Sequence, residues 1–147
     1  MTSIDPKGRL QALSNAAVGR LVRLGAAPRD CQELLVAGRT SGRVTARPVN
    51  VLRIDDARFL LSPRGRTQWV RNVRAGSAVS LRRGRRTEAV ALVEVDDAGK
   101  PDLIRDYLRK WGWQVSGLVG GLTADSSDDE ILAAAPGLPM FEVQARS

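Results

Sequence analysis

Turn-forming residues cut the chain between Gln32 and Val95 into apolar segments of five to eleven residues, and no other feature constrains the fold as tightly. Segments this short, rich in Val, Leu and Ile, suit β-strands joined by hairpins. They run over 32–37, 44–54, 58–62, 77–82 and 86–95, and Pro139 to Gln144 reads as a closing sixth. Asp55-Asp56-Ala57 and Arg83-Gly84-Arg85 are short enough to make the strands on either side antiparallel neighbours. Pro48 cannot donate to a ladder, which puts the 44–54 strand at an edge or a bulge.

Helical spacing occurs in four places. Leu10, Leu13, Ala17, Leu21 and Leu24 recur over 8–24 with Arg9, Arg20 and Arg23 between them. That pattern reads as a surface helix over one end of the core, with a helix lying on a membrane surface as the alternative. Thr67 to Ala75 is a short helix stopped by Gly76. Pro101 suits the first turn of a helix reaching about Gln114, with Leu103, Ile104, Tyr107, Leu108 and Trp111 on one side. Ser127 and Glu130 have capping-box spacing ahead of Ile131. Hairpin-linked strands without βαβ alternation predict a mainly β, α+β fold, an antiparallel barrel of about six strands with peripheral helices. Residues 1–147 read as one domain, with 1–30 an N-terminal helical extension.

The chain has no histidine and one cysteine, Cys31. Histidine-based triads and imidazole metal sites are therefore excluded, and so are internal disulfides and thiolate clusters; no metal is expected. Cys31, just before the first strand, reads as a small buried filler. No apolar run reaches the ~20 residues that cross a bilayer, and no signal-peptide pattern opens the chain. The sequence predicts a cytoplasmic protein, peripheral to a membrane only if the 8–24 helix lies on its surface.

Charge is concentrated. Residues 1–94 hold 18 basic and 7 acidic side chains, residues 95–147 hold 5 and 9, and 20 of the 23 basic residues are arginine. Between 38 and 86 there are 13 arginines and two acids. Guanidinium forks take carboxylate and phosphate oxygens two at a time, so this stretch predicts an anion-binding surface.

Two loops fall inside it. Gly38-Arg39-Thr40-Ser41-Gly42-Arg43 offers glycine freedom, two hydroxyls and two guanidiniums. It is either an ordinary hairpin turn or a turn that aims amides and Arg forks at one phosphate. The second loop, Ser62-Pro63-Arg64-Gly65-Arg66-Thr67, leads into Gln68-Trp69-Val70-Arg71-Asn72-Val73-Arg74. If Thr67 caps that helix, its first free amides carry partial positive charge and suit an anionic or carbonyl oxygen. Arg71 and Arg74 share a face. Trp69 is a core anchor or a ligand contact, and Asn72 a structural hydrogen-bonder or a ligand contact.

In this order, Gly38-Arg39-Thr40-Ser41-Gly42, Arg47-Pro48-Val49 and Trp69-Val70-Arg71-Asn72-Val73-Arg74-Ala75 resemble the deazaflavin-dependent nitroreductase family. The closing Pro139-Met140-Phe141-Glu142-Val143 is similar to its final strand. The resemblance implies a split β-barrel related to flavin mononucleotide-binding barrels. It also implies coenzyme F420, an 8-hydroxy-5-deazaflavin bearing a phosphodiester and a glutamate tail, with FMN as the alternative. Carried over by position, Arg39, Ser41 and Gly42 hold the phosphate and Pro48 borders the groove. The amides near Gln68 and Trp69 meet the ring carbonyls. Arg64, Arg66, Arg71 and Arg74 face the tail or the groove wall. Thr40 and Thr45 stand where the family is often basic, and Arg43 and Arg47 are the compensating cations.

The implied chemistry is hydride transfer from the C5 carbon of the reduced deazaflavin to a quinone, an enone or a nitro compound. Water, Tyr107 or Ser62 would supply the proton. Tyr107, Trp111 and Trp113 either wall the substrate or anchor their helix on the barrel. Two other classes remain at this stage: a basic nucleic-acid-binding protein, and a barrel that binds a flavin or other small ligand without catalysis. Monomer and homodimer are both compatible with the sequence.

Overall fold

The computed structural model describes residues 30–115 and 117–146. The helix expected over 8–24 lies outside them. Seven strands are present: β1 Cys31–Ala37, β2 Val44–Asn50, β3 Leu52–Ile54, β4 Ala57–Leu61, β5 Val79–Arg83, β6 Arg86–Glu94 and β7 Met140–Ala145. The helices are α1 Gln68–Arg74, α2 Pro101–Val115 and α3 Asp128–Ala134, with 3-10 turns at Asp97–Gly99 and Ala135–Gly137.

All strand pairs are antiparallel and their order is β2-β1-β5-β6-β7-β4-β3. The two edge strands, β2 and β3, are consecutive in sequence and separated by Val51 alone. A sheet whose two edges are one residue apart must curl until they meet, so this break is what turns the sheet into a barrel.

The expected six strands become seven because 44–54 changes partners midway. β2 pairs with β1 up to Asn50↔Cys31, the Val51 amide leaves the ladder to donate to the Asp30 carbonyl (2.7 Å), and β3 then pairs with β4 from Leu52↔Phe59. Pro48 sits on β2, an edge, as its missing N–H requires. Asp55 (φ 53°) and Gly84 (φ 60°) open the two-residue hairpins, where primed turns need positive φ.

The alternation of side chains builds two cores. Inside the barrel, Leu34, Val36, Val51, Leu60, Leu81, Val90, Phe141 and Val143 pack with Trp69 and Val70 of α1, which plugs one end. Outside, α2 and α3 lay Ile104, Tyr107, Leu108 and Ile131 on Leu52, Leu61 and Met140. α2 starts at Pro101 and α3 has the full capping box, with the Ser127 amide donating to Glu130 Oε1 (2.9 Å) and the Glu130 amide to Ser127 Oγ (3.1 Å). Lys100 is buried. Its ammonium donates to the Ala135 carbonyl (2.9 Å) and meets Asp97 (2.7 Å), tying the outer helices together.

Candidate functional site

The two loops singled out in the sequence meet at the plugged end. The first is a closed turn: the Gly38 amide donates to the Arg43 carbonyl (2.8 Å), the Gly42 amide to the Gly38 carbonyl (3.0 Å) and the Arg43 amide to Ser41 Oγ (3.1 Å). Gly42 has φ 72°, which the turn requires, and a Cβ at Gly38 would lie 2.7 Å from Ser41 Oγ and displace that hydroxyl from its bond to the Arg43 amide. The Gly42 N–H is consumed inside the turn, contrary to its expected hold on a phosphate. The exposed Thr40 and Ser41 amides make no hydrogen bond among the described residues.

Arg39 joins the loops. Its amide donates to Asn72 Oδ1 (3.1 Å), and its Nη1 donates to Asn72 Oδ1 (2.8 Å) and to Gln68 Oε1 (2.8 Å). Asn72 is buried in α1, so of its two readings the structural hydrogen-bonder holds. Trp69 is likewise a core anchor, 6% exposed and 5.7 Å from the Phe141 ring. Only its backbone amide, in the first turn of α1, lacks an intrahelical partner by position.

The second loop fastens itself. The buried Ser62 hydroxyl donates to the Gly65 carbonyl (2.6 Å), and the Gly65 (φ 81°) and Thr67 amides close the turn onto Ser62 and Gly65. Pro63 is half-buried within it. Its hydrogen is committed and its oxygen buried, so Ser62, one of the three candidate proton sources, fastens the turn. Thr67 occupies the N-cap of α1, yet its side chain makes no capping bond, and Thr67 Oγ1 is buried without a partner. Arg74 also departs from expectation: it makes a two-point pair with Glu94, whose hydrogen bond pushes the guanidinium pKa further up. Arg43, Arg47, Arg64, Arg66 and Arg71 are exposed and carry no ion pair or side-chain hydrogen bond among the described residues.

Tyr107, Trp111 and Trp113 lie on α2. Tyr107 is buried, its oxygen accepts from Asn50 Nδ2 (3.4 Å), and its ring is 4.9 Å from Trp111. Burial pushes its hydroxyl pKa up to about 12. Trp113 is 68% exposed, with Nε1 donating to the Lys110 carbonyl (3.1 Å). β2 separates this group from the Arg39 turn: from Val44 to Asn50 is six residue steps, roughly 20 Å at about 3.3 Å per residue.

One cluster escaped the sequence reading. Arg53, Arg58, Arg83, Arg85 and Arg86 line a cavity with Gln32, Leu81, Thr87 and Glu88. The available signal was alternation: positions 32, 58, 81, 83, 86 and 88 fall in step with the apolar residues that fill the barrel.

The donor set at the plugged end suits an elongated polyanion. Five exposed guanidiniums without an ion pair or side-chain hydrogen bond among the described residues lie on the two loops, β2 and α1, two turn amides make no hydrogen bond, an orphaned hydroxyl stands at the start of α1, and neither loop contains an acid. An antiparallel split barrel is the fold that the resemblance to the deazaflavin-dependent family implied. The sequence model of the F420H(2)-dependent quinone reductase family matches residues 9–114, and the chain belongs to that family. It is an F420H2-dependent oxidoreductase, and coenzyme F420 is its cofactor. No curated protein matches the sequence.

Among solved structures, Atu2129 from Agrobacterium tumefaciens, of unknown function, superposes with a TM-score of 0.60 at 15% identity. The match covers 98% of this chain and 58% of that one, so this chain spans little more than half of that protein. An F420-H2 dependent reductase, FDR-A, gives a TM-score of 0.53 at 15% identity over 79% of this chain and 95% of that one. A FAD-binding protein of Mesorhizobium loti gives 0.53 at 16% identity over 92% and 90%. At these identities the likeness is one of fold, and the fold is the FMN-binding type of split barrel.

Among the described residues no helix is long and apolar enough to cross a membrane. No group of three or more His, Cys, Asp or Glu side chains among them could hold a metal ion.

Proposed function

We propose that this chain reduces a quinone with F420H2, and that nitro compounds and enones are secondary acceptors. The observation that carries the reading is the Arg39 clasp, which fuses the two family loops into one rigid cationic platform. The family name supports a quinone as the acceptor.

On this reading Arg39 is a positioning residue. It orients the turn so that the Thr40 and Ser41 amides, the Ser41 hydroxyl, Arg43 and Arg47 converge on a phosphate, with Pro48 at the groove border. The Gln68 and Trp69 amides, with the partial positive charge of the α1 start, face the ring carbonyls. Arg64, Arg66 and Arg71 take the carboxylates of the tail. Held by these residues, reduced F420 would supply a hydride to the acceptor. Trp111 packs on Tyr107 at the far end of β2 and Trp113 is exposed there, so neither walls an acceptor held beside the Arg39 platform. The Ser62 hydroxyl is engaged and Tyr107 is buried with a raised pKa, so water delivers the proton.

The test is a fluorescence titration with F420, followed by F420H2 oxidation with menadione, a nitroaromatic and a cyclohexenone. Micromolar F420 binding with fastest turnover on menadione is expected. Absence of binding at micromolar concentration would overturn the site, and a faster nitroaromatic would overturn the acceptor.

A further inference from the structure

The barrel interior is apolar near α1 and becomes cationic at its other end. Leu81 is opposite Glu88, and Arg83 is opposite Arg86, across the β5–β6 hairpin. Arg53 is opposite Arg58 on β3–β4. The mouth therefore carries two Arg–Arg cross-strand pairs, an arrangement that destabilises a ladder. Glu88 compensates in part, accepting Arg58 Nη1 at 2.8 Å and Nη2 at 2.9 Å, while Arg53 Nε reaches Asp30 at 3.2 Å. Arg85 and Arg86 carry no ion pair among the described residues. Gln32, 8% exposed, presents to this cavity a side-chain amide with no hydrogen bond among the described residues.

We propose that this mouth is a second anion site, separate from the cofactor platform, which takes a small organic polyanion bearing two or more phosphate or carboxylate groups. The cavity measures about 620 Å³, the size of a metabolite pocket, and barrel mouths are a common place for one. Arg58 is paired with Glu88, Arg53 with Asp30, and Arg83 donates to the Cys31 carbonyl (3.2 Å), which leaves the Arg85 and Arg86 guanidiniums and the Gln32 amide as the groups open to a polyanion. The site lies at the Cys31 end of β1, whereas the Arg39 turn leaves its Ala37 end, roughly 20 Å away at about 3.3 Å per residue.

Calorimetric titration of the full chain with pyrophosphate and with citrate, at matched ionic strength, tests the assignment. Micromolar binding of one or both is expected, and the tighter of the two identifies the oxyanion. Arg85→Gln/Arg86→Gln should weaken it at least tenfold and leave F420 binding unchanged. Gln32→Glu, which keeps the side-chain shape and adds a negative charge, should lose the polyanion without lowering the melting temperature. The proposal is overturned if neither probe binds more tightly than chloride, if both variants bind like the parent protein, or if saturating F420 displaces the probe. The last result would give the mouth to the cofactor's own tail.

Discussion

Replacing Asn72 by alanine tests whether the two loops are one device. Asn72 Oδ1 accepts from both the amide and the guanidinium of Arg39, at 3.1 and 2.8 Å. An ordinary hydrogen bond contributes about 1 kcal/mol and one to a charged group about 1.5–3 kcal/mol, so the loss should be about 2–4 kcal/mol. Arg39→Ala removes the guanidinium but leaves the backbone bond, and should cost about 1–3 kcal/mol. Because the shared bond is removed only once, the double variant should fall short of the sum by about 1.5–3 kcal/mol. In urea, with a slope near 2 kcal/mol/M, Asn72→Ala should lower the midpoint by about 1–2 M.

The same variants separate two roles for Arg39. If it positions the turn, Arg39→Ala and Asn72→Ala weaken F420 binding alike, and the double variant is little worse than either. Additive denaturation energies would refute the clasp. Loss of F420 binding in Arg39→Ala alone, with Asn72→Ala unaffected, would make Arg39 a direct phosphate ligand.

Three further outcomes follow from the packing. Phe141→Ala, which empties the barrel centre against Trp69, should destabilise by about 3–5 kcal/mol in chemical denaturation. Lys100→Met, which keeps the buried stem but orphans the Ala135 carbonyl, should cost about 1–3 kcal/mol in the same assay. Tyr107 has its folded pKa raised from 10.0 to about 12, so its contribution is fully present below pH 10 and is lost as pH rises through 12. That loss should amount to about 2–3 kcal/mol between those limits. Tyr107→Phe should flatten the alkaline limb of stability measured by tryptophan fluorescence, and an unchanged limb would refute the assignment.

Local chemistry made much of this molecule legible in one dimension. The hairpin at Asp55-Asp56, the Pro48 edge, the Pro101 start and the Ser127–Glu130 cap each depend on residues within a few positions of one another, and each stands where its residues put it. The strand break at Val51 was hidden because no glycine or turn dipeptide marks it within 44–54. What interrupts it is the choice of two different partners, β1 and β4, far away in the chain.

The same division runs through the site. The order and spacing of the two motifs pointed by resemblance to a deazaflavin, and the absence of histidine assigned any redox chemistry to a bound carrier. Side-chain roles were another matter. Whether Asn72 and Trp69 face a ligand or the protein depends on what lies opposite them, and Arg39 and Phe141 are there. Arg74, equal to Arg71 in the sequence, is taken by Glu94. The arginines of the barrel mouth looked like scattered surface charge until closure of the sheet turned alternate positions inward. Sequence determined the elements, the charge excess and the family, because these follow from residue type and short-range geometry. Tertiary structure alone decided which guanidiniums are already partnered and which remain open to an anion, because pairing follows from distance in space.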